Sequence, residues 1–102
     1  MKLSTETLMS ITKQIEETDL EDGWTNDQNL EVKQGTFTIL VTYRVLGELV
    51  KEYNYHQEVL YNNIENMSHT DFIDAEISDI EAWDDTKDEC IEIENLNELQ
   101  YY

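Results

Sequence analysis

"LEVKQGTFTILVTYRVLGELVKEYNYH", residues 30–56, decides the fold, because its apolar residues recur at every second position. A period of two sends successive side chains to opposite faces of a strand, so the stretch reads as sheet with one buried face. Two turns fix the expected register. A two-residue turn at Gln34–Gly35 pairs Val32 with Phe37 and Leu30 with Ile39. A three-residue Leu46–Gly47–Glu48 loop pairs Val45 with Leu49, Val41 with Tyr53 and Ile39 with Tyr55. Both put Leu30, Val32, Phe37, Ile39, Val41, Tyr43, Val45, Leu49, Tyr53 and Tyr55 on one face. Glu31, Lys33, Thr36, Thr38, Thr42, Arg44 and Glu52 fall on the other, and a slip of one residue would scramble the division.

Upstream, residues 4–18 have helical spacing, with Leu8, Ile11 and Ile15 on one side and Leu3 just before them. Ser4 suits the N-cap and Glu6 the first turn, although Thr7 stands where a capping box would want Glu or Gln. Glu16 and Glu17 lie at the unfavourable end of the helix dipole. "TDLEDGWTNDQN", 18–29, is a polar connection. Downstream, Leu60, Ile64 and Met67 favour a short helix at about 57–67, while Asn62–Asn63 would equally suit a turn.

The C-terminal third returns to strands. Ile73, Ala75 and Ile77 alternate, and then the inward set moves to Ile80 and Ala82, a one-residue change of phase that a β-bulge near Ser78–Asp79 produces. Across "DDTKDE", pairing Trp83 with Cys90 aligns Ala82 with Ile91 and Ile80 with Ile93. That register makes Glu81 face Glu92 and Asp79 face Glu94, with Asp74 and Glu76 extending the row. Residues 95–102 are expected to form a terminal helical turn or an edge strand, with Tyr101 and Tyr102 frayed or covering a sheet edge. The expected fold is therefore α+β, a single domain over 1–102. An N-terminal helix packs on one face of an antiparallel meander sheet of four to five strands.

Charge is the strongest compositional signal. Twenty-four carboxylates against six Lys or Arg give −18, and residues 71–102 alone carry −11. Such a balance opposes direct binding to nucleic acid or to an anionic membrane, both of which reward cations. The lone Cys90 allows no disulfide within the chain, no apolar run has the length of a signal peptide or membrane span, and a cytoplasmic protein is expected.

The residues supply little catalytic chemistry. His56 and His69 lack partners at zinc-ligand spacing, and the acidic neighbours of Cys90 disfavour its thiolate. "DDTKDE" puts Asp84, Thr86 and Asp88 at alternating positions, but Glu89 stands where a calcium loop needs glycine and Asn95 where it needs Glu. No phosphate-binding or nucleophile motif is present. The expectation is a non-enzymatic domain without metal or cofactor. Its carboxylate row (Asp74, Glu76, Asp79, Glu81, Glu92 and Glu94, with Trp83 as aromatic anchor) engages a basic partner, such as a protein that normally grips nucleic acid. In charge alone the chain resembles small acidic inhibitors that imitate DNA. The alternative is an accessory protein that associates, with itself or another chain, through an edge strand or apolar surface, its charge serving solubility.

Overall fold

The computed structural model describes residues 1–51 and 68–102. In chain order these form α1 (Thr5–Glu16), β1 (Gly23–Trp24), β2 (Gln28–Gln34), β3 (Phe37–Lys51), β4 (Ser68–Asp84), β5 (Glu89–Ile91) and a 3-10 turn (Leu96–Glu98). The arrangement is α+β, with one helix and a five-stranded antiparallel sheet. The helix expected at about 57–67 lies outside the described residues, as do Tyr53 and Tyr55.

β3 and β4 form the long axis of the sheet, antiparallel from Phe37↔Asp84 to Lys51↔Ser68. Their β-branched and aromatic residues suit a pleated surface that is buried on one side. β2 flanks the first part of β3, and β1 continues along the same edge with Gly23↔Gly47 and Trp24↔Leu46. β5 flanks β4 only from Ala82↔Ile91 to Asp84↔Glu89.

The two turns expected in residues 30–56 both need correction. The first hairpin pairs Gln34 with Phe37 and Val32 with Ile39, so its two-residue loop is Gly35–Thr36 rather than Gln34–Gly35. Gly35 has φ +60 while Thr36 does not take a positive φ, which is the glycine-first pattern of a type II′ turn. The register moves by two residues, so every side chain keeps its expected face. The second turn does not exist: β3 runs straight through Leu46–Gly47–Glu48. Gly47 sits in the strand because Leu20, the Glu21 carbonyl and Thr70 crowd the place where a Cβ would go. The glycine marks a close backbone approach, not a reversal. Leu49 keeps its inward phase but lies past the pairing with β1 and is 40% exposed.

β4 changes phase twice. Thr42 pairs with Asp79 and Tyr43 with Ile77, leaving Ser78 as the extra residue of a bulge at the expected place. A second irregularity leaves Ile73 unpaired between Phe72 and Asp74, so Ile73 is 49% exposed and Phe72 takes the inward position expected for it.

One face of the sheet is covered by α1 and by the segment that follows β5. Ile11 and Ile15 of the helix pack with Ile39, Val41, Val45, Ala75, Ile77 and Ala82, joined by Leu3, Ile93 and Leu99. Each fully buried Ile contributes about 1.5–3 kcal/mol. Thr7 rather than Leu8 lies fully beneath the helix, Leu8 being half-buried at its side. Ser4 caps α1, accepting from Thr7 N at 3.2 Å.

The two ends of the chain are tied together. Glu94 N donates to Met1 O at 2.8 Å, and the Met1 ammonium donates to Glu92 O at 2.6 Å. The buried Asn95 side chain accepts from Leu3 N at 2.7 Å and donates to Leu3 O at 3.0 Å. Further on, Tyr101 fastens the tail at three points: its hydroxyl donates to Glu16 at 2.7 Å, its carbonyl accepts from Ile77 N at 2.8 Å and its ring meets Phe72 edge-on. Tyr101 thus covers a sheet edge, one of the two expected roles. Glu16, misplaced for the helix dipole, is the residue that holds it. No described helix is long and apolar enough to cross a membrane.

Candidate interaction face

No described element lies over the second face of the sheet, so its character follows from strand alternation. β4 presents Asp74, Glu76, Asp79, Glu81 and Trp83 there, all either exposed or half-buried. The bulge at Ser78 makes this continuity possible. Without the extra residue Asp79 and Glu81 would turn toward the helix, and Ile80 and Ala82 toward solvent.

The other neighbour of these acids is β3. Asp74 stands opposite Leu46, Glu76 opposite Arg44, Asp79 opposite Thr42 and Glu81 opposite Leu40. No carboxylate of this row therefore opposes another across the β3–β4 ladder, and a repulsion of tenths to about 1 kcal/mol per pair is avoided. Along β4, carboxylates two residues apart stand ~6.6 Å from each other, inside a Debye length of about 8 Å at physiological salt, so their potentials add.

Glu92 and Glu94 are exposed but do not complete the row as expected. The β4–β5 ladder matches the expected Trp83↔Cys90 and Ala82↔Ile91 and then stops, so Ile80↔Ile93, Glu81↔Glu92 and Asp79↔Glu94 are not ladder pairs. The backbone of residues 92–94 turns to Met1 instead, whose polar groups it satisfies. Ile93 still reaches the core. Cys90 is exposed on β5, because Ile91 takes the inward position beside it.

Two cations belong to this face. Arg44 reaches Glu76 at 3.2 Å and lies over the Trp24 ring, 4.7 Å from its centroid. With both charged side chains partly exposed, the ion pair is worth up to about 1 kcal/mol, and the stacking a further ~0.5–1 kcal/mol. Arg44 thus offsets part of the charge of Glu76. Lys33 is drawn to Asp85 at 3.5 Å and to the Thr38 hydroxyl at 2.5 Å, with Glu31 at the limit of ion pairing, 3.9 Å away. Asp74 spends one oxygen on Ala75 N at 2.8 Å, and Glu81 accepts from the Trp83 indole at 3.1 Å. Asp74, Asp79 and Glu81 have no cation within ion-pairing distance among the described residues.

The "DDTKDE" turn is held by its own side chains. Asp84 accepts from Thr86 N at 3.0 Å and from the Thr86 hydroxyl at 2.6 Å, and Asp88 adopts φ +54. The Thr86 hydroxyl holds the Asp84 carboxyl below its usual range, against the opposite pull of burial. Asp85 accepts from Thr38 at 2.8 Å. Of the three side chains at alternating positions, Asp84 and Thr86 are thereby engaged with each other in closing the turn. Among the described residues no three His, Cys, Asp or Glu are grouped to hold a metal ion.

On the helical side an open groove of about 360 Å³ is lined by Leu8, Met9, Thr12, Lys13, Glu16, Glu98 and Gln100. Its two carboxylates are taken by structural donors, Glu16 by Tyr101 and Glu98 by Asn95.

Glu31 lies on the open face as expected, and the same alternation sends its neighbour Leu40, missing from the expected set, outward as well although it is apolar. Leu40 is 41% exposed, and Trp24, on the same face, 39%. Comparison of the chain with family models, with curated proteins and with solved structures gives no match.

Proposed function

We propose that this chain is a non-enzymatic binding domain whose open sheet face engages a basic protein. The observation that carries the reading is the outward row Asp74, Glu76, Asp79 and Glu81, in which, among the described residues, a single cation, Arg44, answers four carboxylates. Such a face attracts cations at long range and accelerates encounter. It is of the kind that competes with nucleic acid for a protein's basic groove, which makes a nucleic-acid-mimic inhibitor the finer form of the proposal. Trp83, half-buried beside Glu81, supplies the aromatic contact.

Several features weigh against association through the free edge of β4. Along the free edge of β4 the bulges at Ile73 and Ser78 break the flat ladder, while Asp74 occupies Ala75 N and Tyr101 occupies Ile77 N. Edges treated in this way pair poorly with other strands.

The test neutralises the row in one variant, Asp74→Asn, Glu76→Gln, Asp79→Asn and Glu81→Gln. Immobilised wild type should retain basic nucleic-acid-binding proteins at low salt and release them as salt rises or as duplex DNA is added. The variant should retain none of them. Equal capture by both proteins, or capture insensitive to salt and DNA, would refute the proposal.

A further inference from the structure

On the open face Leu40 of β3 is flanked on both neighbouring strands by a carboxylate, Glu31 of β2 on one side and Glu81 of β4 on the other. Directly opposed residues bring their Cβ atoms to about 4.5–5.5 Å, so the two acids bracket the leucine across ~10 Å. Leu40 is 41% exposed and Glu31 is exposed, while Glu81 is half-buried. An apolar floor between two anionic walls is complementary to one type of side chain: a long aliphatic stem that ends in a cation.

We propose that this three-strand constellation is an arginine-binding site, in which the stem of a partner arginine lies along Leu40 and its guanidinium bonds to Glu81 and Glu31. Arginine fits better than lysine on two grounds. Its planar head carries donors on more than one edge and can answer acids on either side, and it gives up its hydration more readily on an apolar surface. Lys33 comes only to the limit of ion pairing with Glu31, 3.9 Å, because its nearer contacts, Thr38 and Asp85, draw it toward the end of the hairpin. Arg44 is held four residues along β3, against Glu76 and Trp24. This inference rests on the acidic-face reading and adds the residue type that the face selects.

The test uses two blocked peptides of equal charge, four Gly-Arg repeats and four Gly-Lys repeats. Binding is followed by the fluorescence of Trp24 and Trp83 and by amide shifts at Glu31, Leu40 and Glu81. At 0.15 M salt the arginine peptide should bind about fivefold more tightly than the lysine peptide. Leu40→Thr, at an exposed strand position that tolerates threonine, should remove that preference. Glu31→Gln, which leaves Leu40 in place, should weaken the arginine peptide about two- to threefold. Equal affinity for the two peptides, a preference that survives Leu40→Thr, or binding of neither peptide overturns the arginine site. If the peptides bind equally yet lose affinity in the neutralised Asp74, Glu76, Asp79 and Glu81 variant, the acidic-face reading survives that failure. If they bind that variant as well as wild type, both fall.

Discussion

Gly47→Ala tests how the sheet is put together. A methyl carbon at Gly47 would collide with the Glu21 carbonyl oxygen and would lie 3.0 Å from Thr70 Cγ2 and 3.2 Å from Leu20 Cβ. The oxygen is backbone and cannot rotate away. One response keeps the fold and bears the strain, at about 1–3 kcal/mol for an overpacked site. The other peels residues 20–25 off β3. That forfeits the β1 pairs and the two bonds between Thr25 and Val45, at 2.9 and 3.1 Å, each worth about 1 kcal/mol net. Against either cost, removing glycine's freedom in the unfolded chain returns about 0.5–1 kcal/mol. The net destabilisation is about 1–2 kcal/mol, which lowers the midpoint of thermal unfolding by about 5–15 °C in a domain of this size. Circular dichroism gives the midpoint, and amide exchange locates the damage. Protection should fall first at Thr25 and Val45, while amides of β3 and β4 near Phe37 and Trp83 keep theirs. An unchanged or raised midpoint would refute the close approach. Uniform loss of protection along β3 would instead mean that Gly47 serves a backbone conformation that alanine cannot adopt.

The remaining predictions concern the tail. Asn95→Ala strips Leu3 of both partners for its backbone, a site that is buried, and should cost about 2–3 kcal/mol in urea unfolding; a loss under half of that would show the contact to be dispensable. Burial, helped by the hydrogen bond to Glu16 and the nearby charges of Glu16 and Asp74, pushes the Tyr101 hydroxyl from its ordinary 10 up to about 12. Because the folded protein holds this proton more tightly than the unfolded chain, the contribution is complete below about pH 10 and disappears as pH climbs toward 12. Wild type should therefore lose more thermal stability than Tyr101→Phe across that window. Parallel curves would remove Tyr101 from the alkaline transition.

The sequence carried the fold wherever a local pattern was sufficient. Ser4 announced the start of α1, the apolar alternation of 30–45 announced a one-faced sheet, and the missed beat between Ile77 and Ile80 announced the bulge at Ser78. The hairpin around residues 84–89 was legible for the same reason, since only one register aligns Ala82 with Ile91. What failed needed a distant partner. A glycine serves a turn or a close approach equally well, and residues 20–21 and 70, which decide the matter for Gly47, are remote from it in the chain. Glu92 and Glu94 alternate as a strand should, and nothing near them reveals that Met1 will take their backbone from β4. The candidate face was half legible. Its β4 row followed from phase, whereas the neighbours that give each acid its setting (Leu40, Thr42, Arg44 and Leu46) depended on which strand lies beside β4.

The guarding of the β4 edge has a consequence for behaviour in acid. A net charge of −18 makes copies of this chain repel one another at neutral pH, and that repulsion vanishes near the isoelectric point that the composition implies, about 4.1. The kinks at Ile73 and Ser78 and the Tyr101 carbonyl over Ile77 N carry no titratable group. At this edge the obstacles to strand-by-strand pairing thus lie in shape as well as in charge, and only the second is surrendered when protons accumulate.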